Sequence, residues 1–298
     1  MQPKCGFVAI IGAPNAGKST LTNLLVGSKV TIVSPKVQTT RAAIKAIMVE
    51  DNTQLIFCDT PGIFKAKGKL EKAIVTHALE QISQDMDIIL LIDVAKPNKK
   101  ALALILAQLE SLNKKVILAL NKIDLLPKEQ LLPIIEHYQK SALFAEIFLI
   151  SALNNDGVAD LKQSLLKRAP YSPFLYPEDQ MTDISSRFLA QEITREKLFL
   201  ALKDELPYNL SVETNNWQEN EQGKITIDQT IYVSKEGQKK IIIGHKGQMI
   251  KEIGSQARKE LSEIFATKVS LYLHVKVKPD WLDKPYMYNH MGLKYPKN

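Results

Sequence analysis

The sequence predicts two domains of different class, an α/β domain on a mostly parallel sheet followed by a smaller α+β domain. Short apolar, β-branched runs alternate with longer helix-compatible segments as far as residue 152. A glycine-containing octapeptide follows the first of those runs, and a proline-rich break precedes a different order of elements. In the first domain strands are expected over 7–12, 44–49, 54–59, 87–93, 115–121 and 146–151. Helices are expected over 18–25, 70–83, 99–112, 128–139 and 158–168, where the apolar spacing is helical. Pro170, Pro173 and Pro177 fall within 169–180 and carry no clear period, which places a linker at 171–182 between domains 1–170 and 183–298. Beyond it the pattern reads as a helix over 184–203, strands over 209–213 and 224–234, a helical stretch over 239–265 interrupted by glycines, and a strand over 269–278. The aromatic tail from Asp280 is expected to pack on that last strand.

Composition narrows the class of protein. At 298 residues with 45% hydrophobic and 24% charged side chains, the chain can bury two cores and is expected to fold throughout. Cys5 and Cys58 form neither a disulfide framework nor a CxxC pair, which fits a reducing cytosol. The apolar stretch 7–11 is too short for a secretory leader, and the run 88–92 is far below a spanning helix, so a cytoplasmic protein is expected. A net charge of +7 permits a polyanionic partner, and its placement matters more than its size. Nothing indicates an obligate oligomer.

Gly12-Ala13-Pro14-Asn15-Ala16-Gly17-Lys18-Ser19 matches GxxxxGK[ST] between an expected strand and an expected helix. Small residues there let backbone N–H groups turn onto phosphate oxygens, and the helix N-terminus adds partial positive charge. Lys18 is then a point charge for the β- and γ-phosphates and Ser19 a hydroxyl ligand for Mg²⁺, with Thr20 next in the same nucleotide-binding run. Asp59-Thr60-Pro61-Gly62 ends the third strand, where ligands bind in open α/β sheets. Asp59 can hold Mg²⁺ through a water, and Gly62 can turn its N–H to a γ-phosphate.

Asn121-Lys122-Ile123-Asp124 selects the base. The Asp124 carboxylate can accept from N1–H and N2–H of guanine together, whereas adenine would face it with an acceptor, so guanine nucleotides, GTP and GDP, are expected. Asn121 would tie this loop to its neighbours, and the stem of Lys122 would cover the base plane. Ser151-Ala152-Leu153 could add a backbone N–H to the same base.

In order, GAPNAGKS, DTPG, NKID and SAL resemble the translation-factor-like class of GTPases over about half the chain. The resemblance implies a threonine completing the Mg²⁺ shell, and in Gln38-Thr39-Thr40-Arg41 it assigns Thr40, with Thr39 as the alternative. Lys18, Thr40 and Gly62 then serve hydrolysis, and loss of the γ-phosphate should relax loops 31–41 and 60–70. It also places Ile63 where many small GTPases carry a water-positioning Gln; an isoleucine cannot orient water, so slow intrinsic hydrolysis is expected.

Gly244-His245-Lys246-Gly247 puts two glycines around two polar residues, after an apolar run and before an amphipathic segment. Such a turn admits a nucleic-acid backbone, with a lysine meeting phosphate. Residues 235–278 hold ten Lys/Arg against four acids, so nearly all of the net charge lies there. The order α-β-β-α-α-β looks like a type II KH domain, a single-stranded RNA binder. Adding RFLAQEITREKLF (187–199), ELPY (205–208), EGQKKIIIGHKG (236–247) and VKVKPDW (275–281), the whole chain resembles the Era family of bacterial GTPases with a C-terminal KH domain. What that family implies is binding to the 3′ end of 16S rRNA, a role in maturing the small (30S) ribosomal subunit, and peripheral attachment to the inner face of the cell membrane.

Two rival classes share parts of this pattern. A GTP-controlled scaffold would bind a protein or anionic lipid through the same lysines. An RNA-modifying enzyme finds no cysteine pair, zinc spacing or second catalytic constellation, and the five histidines show no metal pairing. Cys58 reads as a small core hydrophobe, while Trp217, Trp281, Tyr286, Tyr288 and Tyr295 are open to either base stacking or packing.

Overall fold

The computed structural model describes residues 2–37, 39–64, 66, 68–80, 85–112 and 114–296. Gln38, Lys65 and Lys67 of the two loops expected to switch, and residues 81–83 of the second expected helix, lie outside them. The chain divides into two compact units; the first holds the residues up to Thr31 with Thr40–Asp183, the second Ile32–Thr39 with the residues from Ile184 onward.

Unit 1 runs β1 (Lys4–Gly12), α1 (Lys18–Val26), β2 (Ile44–Glu50), β3 (Thr53–Asp59), α2 (Lys69–Glu80), β4 (Asp87–Asp93), α3 (Lys99–Ser111), β5 (Val116–Asn121), α4 (Lys128–Gln139), β6 (Phe144–Ile150) and α5 (Val158–Arg168). The strand order is β2-β3-β1-β4-β5-β6, parallel except for the antiparallel β2–β3 pair. Period-2 alternation supplies both faces. On β4, Ile89 and Leu91 enter one apolar layer and Ile88, Leu90 and Ile92 the other; on β5, Ile117 and Ala119 oppose Val116, Leu118 and Leu120. α5 buries Val158, Leu161 and Leu165 in the first layer, and α3 buries Ile105 and Leu109 in the second, so the central strands are covered on both sides. Asn98 caps α3 by accepting from the Ala101 N–H at 3.1 Å, an arrangement worth about 1 kcal/mol.

Parallel pairing brings the strand ends together. Asp59 pairs with Ile10, Leu91 with Gly12, and Asn121 with both Asp93 and Ile150, so β1, β3, β4, β5 and β6 all finish at one edge of the sheet. β1 lies where the strand order reverses, the position at which open α/β sheets hold ligands.

The proline-rich stretch is pinned along unit 1. Buried Gln54 on β3 accepts from the Leu175 and Tyr176 N–H groups at 2.9 and 3.1 Å and donates to the Tyr176 carbonyl at 2.8 Å. Thr182 pairs with Ala46 and its hydroxyl donates to the Lys45 carbonyl at 2.9 Å. Three prolines remove the periodic signal without preventing these bonds, because the prolines are not the donors used.

Unit 2 contains α6 (Ser186–Ala201), β7 (Leu210–Glu219), β8 (Ile225–Val233), α7 (Glu236–Ile243), α8 (Gln248–Ile264), β9 (Val269–Val277) and α9 (Pro285–His290). Its sheet order is β7-β8-β9, with β7–β8 antiparallel and β8–β9 parallel. α8 buries Ile253, Ala257 and Leu261 four residues apart, the stripe of an amphipathic helix. β7 runs six residues beyond the expected end at 213. Its second half is polar because it is an edge strand, and a bulge near Asn215 breaks the alternation; the Thr230 hydroxyl donates to Asn215 Oδ1 at 2.6 Å and Asn216 Nδ2 to Asp228 Oδ2 at 3.1 Å. The helical stretch starts at Glu236, three residues early, where Gln238 Oε1 accepts from the Ser234 and Lys235 N–H groups. In the tail, Trp281 and Tyr288 are fully buried, which removes both from the candidates for base stacking. Trp217 packs edge-on against Phe265, and Tyr295 against Tyr288.

Candidate functional site

The octapeptide turns because its glycines allow it. A Cβ on Gly12 would stand 2.5 Å from the Leu91 carbonyl oxygen, and one on Gly17, whose φ is +101°, would stand 2.4 Å from Asn121 Nδ2. Ala13, Pro14 and exposed Asn15 form the bend between them, Asn15 itself at φ +64°, while Ala16 is buried. Lys18 opens α1 and folds back over the loop, its Nζ donating to the Ala13 carbonyl at 3.0 Å and the Gly12 carbonyl at 3.3 Å. Burial lowers its pKa to about 8, opposed by the nearby Asp59 charge. An anion at the loop would replace the water this ammonium has lost. Thr20 follows at the first turn of α1, half-buried.

Three oxygen-bearing side chains converge beside it. Ser19 Oγ donates to Asp59 Oδ2 at 2.7 Å and lies 2.9 Å from Thr40 Oγ1. Asp59 is wholly buried, its Oδ1 has no hydrogen-bond partner, and burial raises its pKa to about 6 against the hydrogen bond from Ser19 and the Lys18 charge. A buried carboxylate oxygen without a partner, beside two hydroxyls, fits a hard divalent cation such as Mg²⁺. Thr39 turns elsewhere, its hydroxyl donating to the Lys36 carbonyl at 2.7 Å and lying 2.7 Å from Ser34 Oγ. The Thr60 hydroxyl donates to the Ile10 carbonyl at 2.8 Å and holds the segment after β3 against β1. Pro61 leads into Gly62, where a Cβ would stand 2.8 Å from the Pro14 nitrogen, so the two loops approach as closely as a missing side chain permits. Ile63 is buried in the second apolar layer and its N–H bonds the Gly12 carbonyl at 3.3 Å.

Asn121 joins three loops. Its Nδ2 donates to the Ala16 carbonyl at 2.8 Å and its Oδ1 accepts from the Ala152 N–H at 2.9 Å. Lys122, in the left-handed region at φ +68°, donates to the Asn15 carbonyl at 2.8 Å and pairs with Asp93 at 2.5 Å. Asp124 is exposed at the head of this loop. Buried Ser151 accepts from the Asn154 N–H at 3.2 Å, and Leu153 is 81% exposed. Sequence reasoning missed Asp93 and Asn23. Asp93 steadies Lys122 with one oxygen and accepts from the Ala95 and Lys96 N–H groups with the other; an aspartate closing a strand at the ligand edge is the signal that could have found it. Asn23 holds both the Val30 and Thr31 N–H groups, and nothing in an interior helix position advertises that.

In unit 2 the Gly244–Gly247 turn is built separately. Gly244 has φ +73°, and a Cβ there would stand 2.6 Å from that of Met249. Lys246 and Gly247 take φ +49° and +78°, which lifts exposed His245 and Lys246 out of the turn between α7 and α8. Exposed Ile241 lies on α7 just before it, with half-buried Met249 and Ile250 just after.

Comparison with known proteins agrees with both parts. The 50S ribosome-binding GTPase family matches residues 7–122, and the KH domain family matches 205–282. The GTPase Era of Bradyrhizobium diazoefficiens is 49% identical over 295 residues, covering 99% of this chain and 96% of its own, and that of Brucella suis biovar 1 is 49% identical over 297 residues, covering 99% and 95%. Among solved structures, Era in complex with MgGDPNP and nucleotides 1506–1542 of 16S ribosomal RNA matches with a TM-score of 0.90 at 39% identity, over 97% of this chain and 99% of that one. A variant of Aquifex aeolicus Era bound to GDP and AlF₄⁻ matches equally well, with a TM-score of 0.90 at 39% identity over the same shares of the two chains. A GxxxxGKS loop with a serine, threonine and aspartate converging beside it, an Asn-Lys-Ile-Asp loop at the same sheet edge, a GxxG turn in a separate unit, and near half identity along the full chain lead to one conclusion: the chain belongs to the Era family of GTPases, enzymes that hydrolyse GTP.

Proposed function

We propose that this GTPase uses its nucleotide state to control binding of single-stranded RNA at the 3′ end of 16S rRNA, and that it assists maturation of the small ribosomal subunit. The observation that carries the reading is the likeness, over 97% of the chain, to an Era structure whose RNA is nucleotides 1506–1542. The exposed His245-Lys246 pair, held out by two glycines in a stretch with ten Lys/Arg against four acids, supports it from the residues.

Ser19, Thr40 and Asp59 would hold Mg²⁺, which when bound offsets charge on the β- and γ-phosphates. Lys18, buried and held over the loop, and the loop N–H groups would neutralise the same oxygens. Asp124 accepts from the guanine N1–H and N2–H, Lys122 lays its stem along the base, and Asn121 keeps the loops in register. The Gly62 N–H faces the γ-phosphate, and water attacks in line. Buried Ile63 offers no hydrogen bond to that water, so intrinsic turnover is slow. After hydrolysis Thr40 and Gly62 each lose a partner, and that loss is the switch.

The test is equilibrium binding of a 16S 3′-end oligonucleotide and a scrambled control to the full chain, with a GTP analogue or GDP, at fixed salt. Selective, nucleotide-dependent binding that weakens in Gly244→Asp is the expected result. Equal, weak, salt-driven binding of both oligonucleotides would overturn the reading and reduce the basic surface to general electrostatics.

A further inference from the structure

A lysine is a poor cover for a base unless something holds it, because its four-carbon stem is flexible and its ammonium strongly hydrated. In unit 1 the Lys122 stem is held at both ends. At the near end its backbone sits in the left-handed region, at φ +68° and ψ +37°, just after β5. At the far end Nζ donates to the Asn15 carbonyl at 2.8 Å and to Asp93 Oδ2 at 2.5 Å. Asp93 is itself fixed. It ends β4 in register with Asn121, and its Oδ1 accepts from the Ala95 and Lys96 N–H groups at 3.0 and 2.9 Å. The Val94 N–H bonds the Asn121 carbonyl at 3.0 Å, so the backbones that carry the acid and the lysine are joined as well. All of these groups belong to unit 1.

We infer that Asp93 is a positioning residue for guanine nucleotides and acts through Lys122. Of the two oxygens at Nζ, the Asn15 carbonyl is a neutral acceptor, and the Lys122 side chain is 31% exposed, so water competes for its ammonium. The Asp93 carboxylate adds charge to its bond, which makes that bond roughly twice as strong as a neutral one. With the backbone and Nζ both fixed, the stem between them has a narrow choice of paths before any nucleotide arrives. Base binding then does not have to order it, and the entropy of that ordering is spared. The inference rests on the reading of Lys122 as the cover of the guanine base. It adds that an acid outside the Asn-Lys-Ile-Asp loop sets how long a nucleotide stays. Because GTP and GDP carry the same base, Asp93 acts on both alike.

The experiment uses the full chain as wild type, Asp93→Asn, Lys122→Met, Lys122→Ala and the double variant Asp93→Asn/Lys122→Met. Release of ribose-labelled fluorescent GDP and of a labelled non-hydrolysable GTP analogue is followed by stopped flow in saturating Mg²⁺. Inorganic tripolyphosphate, which has no base, is titrated as a competitor, and thermal unfolding is followed in parallel. Asp93→Asn keeps an acceptor for the Ala95 and Lys96 N–H groups and turns an N–H toward Nζ, so the turn stands and the lysine is released. GDP and the analogue should each leave roughly tenfold faster, the worth of one charge-assisted hydrogen bond, with competition by tripolyphosphate unchanged. Lys122→Met, a stem of similar length with no charge to anchor, should match Asp93→Asn, and Lys122→Ala, which also loses the stem, should be faster still. The double variant should release no faster than Lys122→Met, because the acid acts only through the ammonium. Unequal acceleration of GDP and analogue, a loss of tripolyphosphate affinity as large as that of GDP, multiplying effects in the double variant, or wild-type release from Asp93→Asn beside faster release from Lys122→Ala would each overturn the inference. If Lys122→Ala itself releases GDP at the wild-type rate, the reading of Lys122 as the base cover falls and the inference with it. Should Asp93→Asn unfold, Asp93→Ser, whose hydroxyl can still cap the turn, and its double variant with Lys122→Met decide by the same comparison.

Discussion

The phosphate loop of unit 1 and the GxxG turn of unit 2 use the same device, glycines that admit a close backbone, to opposite ends. Around the first, charge is buried: Lys18 and Asp59 are desolvated, and Asp59 keeps an oxygen without a partner. Around the second, charge is exposed: His245 and Lys246 stand in water. A buried site answers to the identity of its ligand, because any atom it fails to satisfy is left unpaired in a low dielectric. An exposed turn answers to the charge and shape of a backbone and is screened by salt. The contrast between the two sites follows from burial more than from the residue types.

Several substitutions break or sharpen that contrast. The largest effect is expected from Lys18→Ala, which removes the buried ammonium; GTP hydrolysis should fall on the order of a thousandfold in a single-turnover assay, with RNA affinity measured without nucleotide unchanged. Asp124→Asn should cost GTP affinity roughly a hundredfold, since the charged acceptor is lost and the new amide N–H faces a guanine N–H. The same variant should gain affinity for xanthosine triphosphate, whose C2 oxygen can accept from the new amide; competition binding reads both. Gly244→Asp combines a left-handed φ with a contact at 2.6 Å to Met249 and adds negative charge to the turn. Its RNA affinity should drop roughly tenfold while guanine-nucleotide affinity stays within error, by fluorescence titration. Lys246→Ala should weaken binding of different RNA sequences alike and reduce the log-log salt slope by about 0.7, the share of one single-strand phosphate. Interior chemistry supplies the smallest effect. The Cys58 thiol is pushed up to about 11 by burial, so a thiol reagent at pH 8 should label it only as the chain unfolds.

Legibility in the sequence tracked how local the cause was. Strand periodicity, the octapeptide and the glycines of the turn act within a few residues, and the expected strands of unit 1 recur in the structure with ends shifted by up to three positions. The outer half of β7 carries no strand signal, because an edge strand has no buried face there to impose alternation and the bulge near Asn215 resets the pairing. The pinned stretch at 171–182 was invisible because its partner, Gln54, is more than a hundred residues away. Aromatic residues in the tail looked available for bases, yet Trp281 and Tyr288 are fully enclosed, a matter of what folds over them.

By itself the sequence determined the two classes of domain, the choice of guanine and the phosphate chemistry, because each depends on residues adjacent in the chain whose geometry a strand end or helix start dictates. Only the tertiary structure decided which of two neighbouring threonines faces Ser19, that Asp93 steadies Lys122, and that Ile32–Thr39 is held by buried charges of α6. Those outcomes depend on partners about 20 to more than 150 residues distant, and a hydrogen bond across that separation leaves no period or spacing in the chain.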